Sequence, residues 1–378
     1  MAANIIANVS NIIVRDDGVE YRSIRSLANL LNICKDNIRR AFKKKGKFIY
    51  QGHSYYLKAL SSEPNTQTPP CLSEDEYAEY QEFRASKEIT SLPFEKYNFN
   101  VKTHKGGNKY AIALFSDVHI EETVDSATVL GMNEYNIDIA KQRITNYFVN
   151  LVKCLEKDKP ESLIFACLGD VISGYIHDEL AQTNELSPLE AIEFAQSIIY
   201  NGLKYIVDNS SVKKIDFIGI VGNHSRTTKK IQHSNGYKMS YEWLMFRNIE
   251  RECKLTNLPI NFNIPNSEVA VVYTNDDKRY LFAHGFQIKS SGNGTVCGIY
   301  PSLNRLSMKW AKNFHQDKIF IGHFHSCISL PNAVVNGSII GFNTFSLTNG
   351  FEYEEPAQMY ELYDTEIGLI NTRKIYCK

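Results

Sequence analysis

The chain has 378 residues, 43% of them hydrophobic, which is enough to bury at least one full core and long enough for two or three domains. Its 42 lysines and arginines balance 42 aspartates and glutamates, so the overall charge argues for neither a nucleic-acid nor a membrane partner, although local asymmetry still can. No apolar run approaches the roughly 18 residues of a membrane span, and the N-terminus lacks a signal peptide's basic start and long apolar stretch; a cytoplasmic location is expected, with no membrane partner.

Residues 10–22, "SNIIVRDDGVEYR", alternate apolar and polar positions around Asp17-Gly18, which predicts a small β-hairpin. In "SIRSLANLLNICKDNIRRAFKKKG", Ile24, Leu27, Leu30 and Leu31 have helical spacing, "NIC" breaks it, and Ile38, Ala41 and Phe42 resume it up to Gly46. Two short helices joined by a tight turn make a helix-turn-helix pattern, and "KFIYQGHSYYLKAL" supplies two β-rich runs about Gly52, as a wing would. Residues 1–60 carry 11 Lys/Arg against 4 Asp/Glu. Most of this charge lies on the second helix, where a run of lysines is commonly just a solvated face. On the element that a helix-turn-helix presents to the major groove, it reads instead as a DNA contact. The candidates are Lys35, Asn37, Arg39, Arg40, Lys43 and Lys44, with the lysines mainly on phosphates and Lys35, Asn37 and Arg40 better placed for base edges.

Residues 61–72, "SSEPNTQTPPCL", mark a domain boundary, and an acidic helix is expected over 73–90 behind a Ser73/Glu76 capping-box pattern. The division is therefore 1–60, a helix-turn-helix-like domain; 61–108, a linker with an acidic helix; and 109–378, a larger domain. From residue 110, "AIALFSD", "SLIFACLGD" and "KIDFIGIVGNH" alternate with helices near 133–157 and 187–208, which predicts an α/β layered domain. The later runs "EVAVVYT", "RYLFAHG", "KIFIGHFH" and "GFNTFSL" are strand-rich and predict a second sheet packed on the first. The eight cysteines are scattered without a Cys-x-x-Cys pair, which disfavours a zinc ribbon or redox motif and favours reduced packing thiols.

Metal-capable residues close the strongest strand runs: Asp117 and His119, Asp170, Asn223 and His224, His284, then His323 and His325. Asp117 and His119 lie two apart and therefore on one side of a strand, where a buried charge is costly unless something pairs with it. Singly, "D-x-H", "GD", "GNH" or "AHG" means little; the ordered set is different. Loops at strand ends gather distant residues into one site. Two cations a few ångströms apart would hold a phosphate and lower the pKa of a bridging water, with Asp170 as the bridging carboxylate. Mixed imidazole and oxygen donors suit transition ions, Mn²⁺ first, with Fe, Zn, Mg or Ni as alternatives.

With these motifs in order, residues 110 to about 350 resemble the calcineurin-like metallophosphoesterases, whose pattern runs D-x-H, G-D, G-N-H, H, G-H-x-H. "GDVISGYIHDEL", "VNGSIIGF" and "EEPAQ" resemble phage-encoded members, for which the location would be the bacterial host cytoplasm. The resemblance implies a four-layer sandwich of two packed sheets flanked by helices. It further implies that Asp117, His119, Asp170 and His325 bind one cation, and Asp170, Asn223, His284 and His323 the other. His224 is left as general acid or transition-state donor. Ser173 and Ser225 stand where many members carry carboxylates, which puts the group that orients His224 in doubt. Arg226 and Asn223 are candidates for substrate binding, while His177 and Asp178 could reach the cleft or serve a surface role. Residues 290–298, "SSGNGTVCG", are a lid or simply a loop. The reading favoured by both ends of the chain is a two-metal phosphodiesterase or nuclease acting on DNA. A phosphoesterase for a small nucleotide or phosphoprotein, with the basic head used only for targeting, is the alternative; a DNA-binding regulator built on a catalytically dead scaffold fits poorly with an intact ligand set.

Overall fold

The computed structural model describes residues 12–21, 24–58, 107–274, 276–288, 299–348 and 350–378. The chain divides into two compact units, Met1–Val101 and Lys102–Lys378. The expected acidic helix at 73–90 and the loop at 290–298 lie outside the described residues.

In the first unit, strands β1 (Ile12–Arg15) and β2 (Glu20–Tyr21) precede helices α1 (Ile24–Leu31) and α2 (Lys35–Lys45), then strands β3 (Lys47–Tyr50) and β4 (His53–Lys58). The two predicted β pieces are not separate. β1 pairs antiparallel with both β2 and β4, giving one sheet of order β2-β1-β4-β3. Ile13, Leu27, Ile38, Phe42, Phe48 and Tyr55 form its core. Gly46 stops α2 in the left-handed conformation (φ 67°), its N–H donating to Phe42 O at 3.0 Å, a cap in which glycine carries no steric cost. Ile38 and Phe42 are buried, and Lys35, Asn37, Arg39, Arg40, Lys43 and Lys44 are all exposed on the remaining faces of α2.

The second unit contains β5 (Lys109–Phe115), α3 (Ile137–Asp158), β6 (Ser162–Cys167), α4 (Leu180–Thr183), α5 (Pro188–Asn209), β7 (Lys214–Gly219), α6 (Tyr241–Leu255) and β8 (Ile260–Asn263). There follow β9 (Val269–Tyr273), β10 (Arg279–Ala283), α7 (Tyr300–Phe314), β11 (Lys318–Ile321), β12 (Ile328–Leu330), β13 (Ala333–Val335), α8 (Thr344–Thr348), β14 (Ala357–Asp364) and β15 (Gly368–Tyr376). One sheet runs β15-β14-β5-β6-β7-β8 with β5 to β8 parallel; the other runs β12-β13-β11-β10-β9 with β10, β11 and β13 parallel.

Period-two alternation in these strands serves two cores rather than one core and solvent. Ala111, Ala113, Phe115, Leu163 and Phe165 face α3, α5 and α6, whose Ile144, Tyr147, Ile199 and Phe246 share their cluster. Tyr110, Ile112, Leu114, Ile164 and Ala166 pack instead with Tyr280, Phe282, Phe320 and Val334 of the other sheet. That sheet's far face, including Leu281, Ile319 and Ile321, packs with Leu303 of α7. The order is thus helices, sheet, sheet, helix. Two details differ from the sequence-based expectation. "GFNTFSL" is not a strand: Asn343 Oδ1 accepts from Ser346 N at 3.0 Å and starts α8, which removes the segment from any ladder. β14 and β15, two long strands, extend the first sheet beyond β5. Among the described residues no helix is long and apolar enough to cross a membrane.

Candidate metal centre

β5, β6 and β7 of one sheet and β10 and β11 of the other each run out into a loop that carries candidate ligands. Asp117 and His119 follow β5, Asp170 follows β6, Asn223 and His224 follow β7, His284 follows β10, and His323 and His325 follow β11. The sequence reading of Asp117 and His119 as one face of a strand is incorrect, because β5 ends at Phe115. Both residues are left-handed, with φ of 54° and 48°, as are Asp170 (50°), His323 (72°) and His325 (52°). Each such conformation costs about 1–3 kcal/mol away from glycine, and clusters of them are typical of functional sites. Here the surroundings hold them: Val118 N and His119 N donate to Asp170 O at 2.8 and 3.2 Å, and His323 N donates to the Asp117 carboxylate at 3.0 Å. Gly169 and Gly222 let two of the loops touch. A Cβ on Gly222 would lie 2.0 Å from Asp170 Oδ1, and one on Gly169 would lie 2.2 Å from Gly222 N.

Three groups of potential ligand atoms converge, each within 4.8 Å: Asp117, His119 and His325; Asp170, His284 and His323; and His119, Asp170 and His224. Asp117, His119, Asp170 and His284 are almost wholly buried. Burial acts to raise the Asp170 carboxyl, but the charges of His284 and His224 outweigh it and hold the group well below the usual range. Asp117 is likewise lowered, with His325 overcoming burial. Burial pushes His119 well below its ordinary value and takes His323 down to about 4, so both rings are neutral. Burial would also lower His284, yet the adjacent Asp170 lifts it to about 9.

The side chains fit divalent cations by two observations. Among the described residues His119 Nε2 and Asn223 Oδ1 are buried with no hydrogen-bond partner, and buried His284 Nε2 faces Asp170 Oδ2 at 2.8 Å. The other ring nitrogens are committed. His284 Nδ1 donates to Leu168 O at 2.6 Å, so once Nε2 gives up its proton, as a bound cation would require, that atom carries the lone pair. His119 Nδ1 donates to Ser173 Oγ (2.8 Å), which in turn donates to Glu122 Oε2 (2.7 Å), leaving His119 in the same tautomer.

The two serines that replace expected carboxylates therefore have identifiable work. Ser173 passes His119 on to Glu122. Ser225 Oγ donates to Glu242 Oε2 at 2.9 Å, while the same carboxylate accepts from Val171 N at 2.6 Å and Gly222 N at 2.7 Å, joining the Asp170 and Asn223 loops. Burial, then the Asp170 charge, raises Glu242 to about 7. His224 is oriented by backbone: its Nδ1 donates to Ser173 O at 3.0 Å and its own N–H donates to Asp170 Oδ1 at 2.8 Å. Sequence analysis passed over Glu122, Glu242 and Asn336, whose Nδ2 holds Ser116 Oγ (2.8 Å) beside Asp117. Glu242 had a signal, since it shares the helical stripe of Met245, Phe246, Ile249 and Cys253, where an acid is out of place.

Arg226 is placed differently from a free phosphate donor. Its guanidinium donates to the carbonyls of Asn223, Thr228 (3.1 Å) and Lys229 (3.4 Å), so it orders its own loop. His177 lies edge-on to His224, with ring centroids 6.0 Å apart, whereas the neighbouring Asp178 is simply exposed.

No protein-family model matches the chain, and no curated protein gives a significant match. Solved structures resemble it in part. A single-residue variant of Vps29 from Entamoeba histolytica is 10% identical, with a TM-score of 0.30 over 70% of this chain and 97% of its own. A 5′-nucleotidase from Candida albicans is 8% identical, TM-score 0.33, over 72% and 52%; the calcineurin-like phosphoesterase YfkN from Bacillus subtilis is 10% identical, TM-score 0.30, over 71% and 91%. Likeness at this level leaves the functional reading to the geometry of the site.

Proposed function

We propose that this chain is a two-cation phosphoesterase, and that its substrate is DNA. One observation carries the reading: two groups of largely buried carboxylate and imidazole donors, one containing Asp117, His119 and His325 and the other Asp170, His284 and His323, are linked through a third group, His119, Asp170 and His224. Asp117, His119, Asp170 and His325 would hold one cation, and Asp170, Asn223, His284 and His323 the other. Bound cations, Mn²⁺ first among the candidates, would supply Lewis acidity toward a phosphoryl oxygen and lower the pKa of water. The chain's own part is positional and protonic. Asp117 and Asp170 are fixed by backbone N–H donors, and the His119 and His284 rings by their committed Nδ1 atoms, so these groups need no rearrangement when charge develops. His224 has Nδ1 engaged with Ser173 O, so Nε2 is the atom that, in the imidazolium form, would give a proton to a leaving oxygen.

The DNA assignment is supported by α2, which exposes Lys35, Asn37, Arg39, Arg40, Lys43 and Lys44 on one short helix against the single acid Asp36. The test is hydrolysis by metal-stripped protein resupplied with Mn²⁺, offering linear DNA, single-stranded DNA, a small phosphodiester and a phosphomonoester, with Asp170→Asn as the blank. DNA cleavage that disappears in the blank is expected. Turnover of the small esters alone would replace DNA with a nucleotide or phosphoprotein substrate, and no turnover of any ester would overturn the phosphoesterase reading.

A further inference from the structure

His177 stands outside both groups of candidate ligands, yet the loop that carries it is built onto the site. Ser173 O orients the His224 ring, and the next residue, Gly174, is left-handed (φ 58°) and presses against His224, where a Cβ would lie 2.6 Å from the His224 carbonyl oxygen. The loop is pinned at both ends by the segment that follows His119. Gly174 N donates to Glu121 Oε1 at 2.8 Å, Glu185 N donates to Glu121 O at 2.8 Å, and Asn184 bridges to Glu122. Asn184 Nδ2 also closes the loop on itself by donating to Gly174 O at 3.0 Å, and a turn, Leu180 N to His177 O at 3.1 Å, fixes the backbone at the histidine.

The outcome is an exposed imidazole whose ring stands at 71° to that of His224, 6.0 Å away centre to centre. A surface histidine needs none of this anchoring. We propose that His177 is a substrate-contacting residue that donates a hydrogen bond to the leaving-group oxygen of a phosphoester, on the side served by His224. The inference rests on the phosphoesterase reading. An imidazole carries at least one N–H in either protonation state, so the contact requires no proton transfer. The contact matters most where the leaving oxygen gathers most charge, which is an alkoxide such as a nucleoside hydroxyl, and least where an aryl ring already delocalises that charge.

The test compares the full-length Mn²⁺-loaded protein with His177→Gln and His177→Ala on two diesters: bis-p-nitrophenyl phosphate, with an aryl leaving group, and a thymidine dinucleotide, with an alkyl one. Bound Mn²⁺ is measured in each variant. The expected result for His177→Ala is a fall in dinucleotide kcat of roughly 10²-fold, a clearly smaller fall on the aryl ester and unchanged Mn²⁺ content, with His177→Gln, whose amide N–H still donates, partly restoring the dinucleotide rate. Equal losses on the two esters would show a structural role, and no loss on either would show a surface residue; both overturn the proposal. Should the wild-type protein hydrolyse neither ester, the phosphoesterase reading itself fails and the inference falls with it.

Discussion

Ser173 illustrates how much of the centre depends on residues that are not themselves ligands. Its hydroxyl links His119 to Glu122, so the ring's tautomer is set two hydrogen bonds away from any donor atom. Ser173→Ala should leave the fold intact and weaken Mn²⁺ binding about 10- to 100-fold, as read by titration calorimetry; an unchanged affinity would show that His119 is held without the relay. The ligand-type residues were legible because each closes an apolar run, and burial of such groups needs a partner. Their local geometry was not. The two-residue spacing of Asp117 and His119 suggested a strand face, whereas left-handed backbone beyond β5 is what directs them. Glu122 lay hidden for a plainer reason, because one acid in a polar loop looks like any other.

Between elements, the two sheets are joined by a buried charge pair as well as by aromatic packing. Lys318 of β11 donates to Glu361 Oε1 of β14 at 2.7 Å, and Thr372 Oγ1 at 3.0 Å, Ser329 Oγ at 3.5 Å and the Tyr363 hydroxyl also donate to the carboxylate. Both side chains are about 95% or more buried. Lys318→Met would strand Glu361 in the core and should cost about 3–5 kcal/mol, measured by urea unfolding, with much of the loss recovered in the double variant Lys318→Met/Glu361→Met. A single variant as stable as wild type would show that water reaches the carboxylate. The central strands and long helices were legible from their periodicity. β14 was not, because "AQMYELYD" buries every residue and so shows no alternation between apolar and polar positions. β12 and β13, of three residues each, are too short to carry a pattern.

At the scale of the whole molecule, the sequence analysis placed a small basic unit ahead of a larger α/β unit, and each has its own core. The sheet of the first unit was only half legible, since the pairing of β1 with β4 joins segments far apart in the chain, and spacing alone does not report such pairing. If α2 holds phosphates, replacing Arg40, Lys43 and Lys44 by Gln in the full chain should weaken DNA binding and flatten its salt dependence by about one unit of slope for each phosphate released. Hydrolysis of a small diester should be preserved. An unaltered salt slope would remove DNA from the account of the first unit. The central claim, that the strand-end loops build one centre for two cations joined by Asp170, is tested most directly by the metal content of the full-length protein equilibrated with Mn²⁺ and freed of excess. Two ions per chain in the wild type and loss of both in Asp170→Asn are the predicted result; a wild type holding one ion or none, or an Asp170→Asn variant that keeps two, would contradict it.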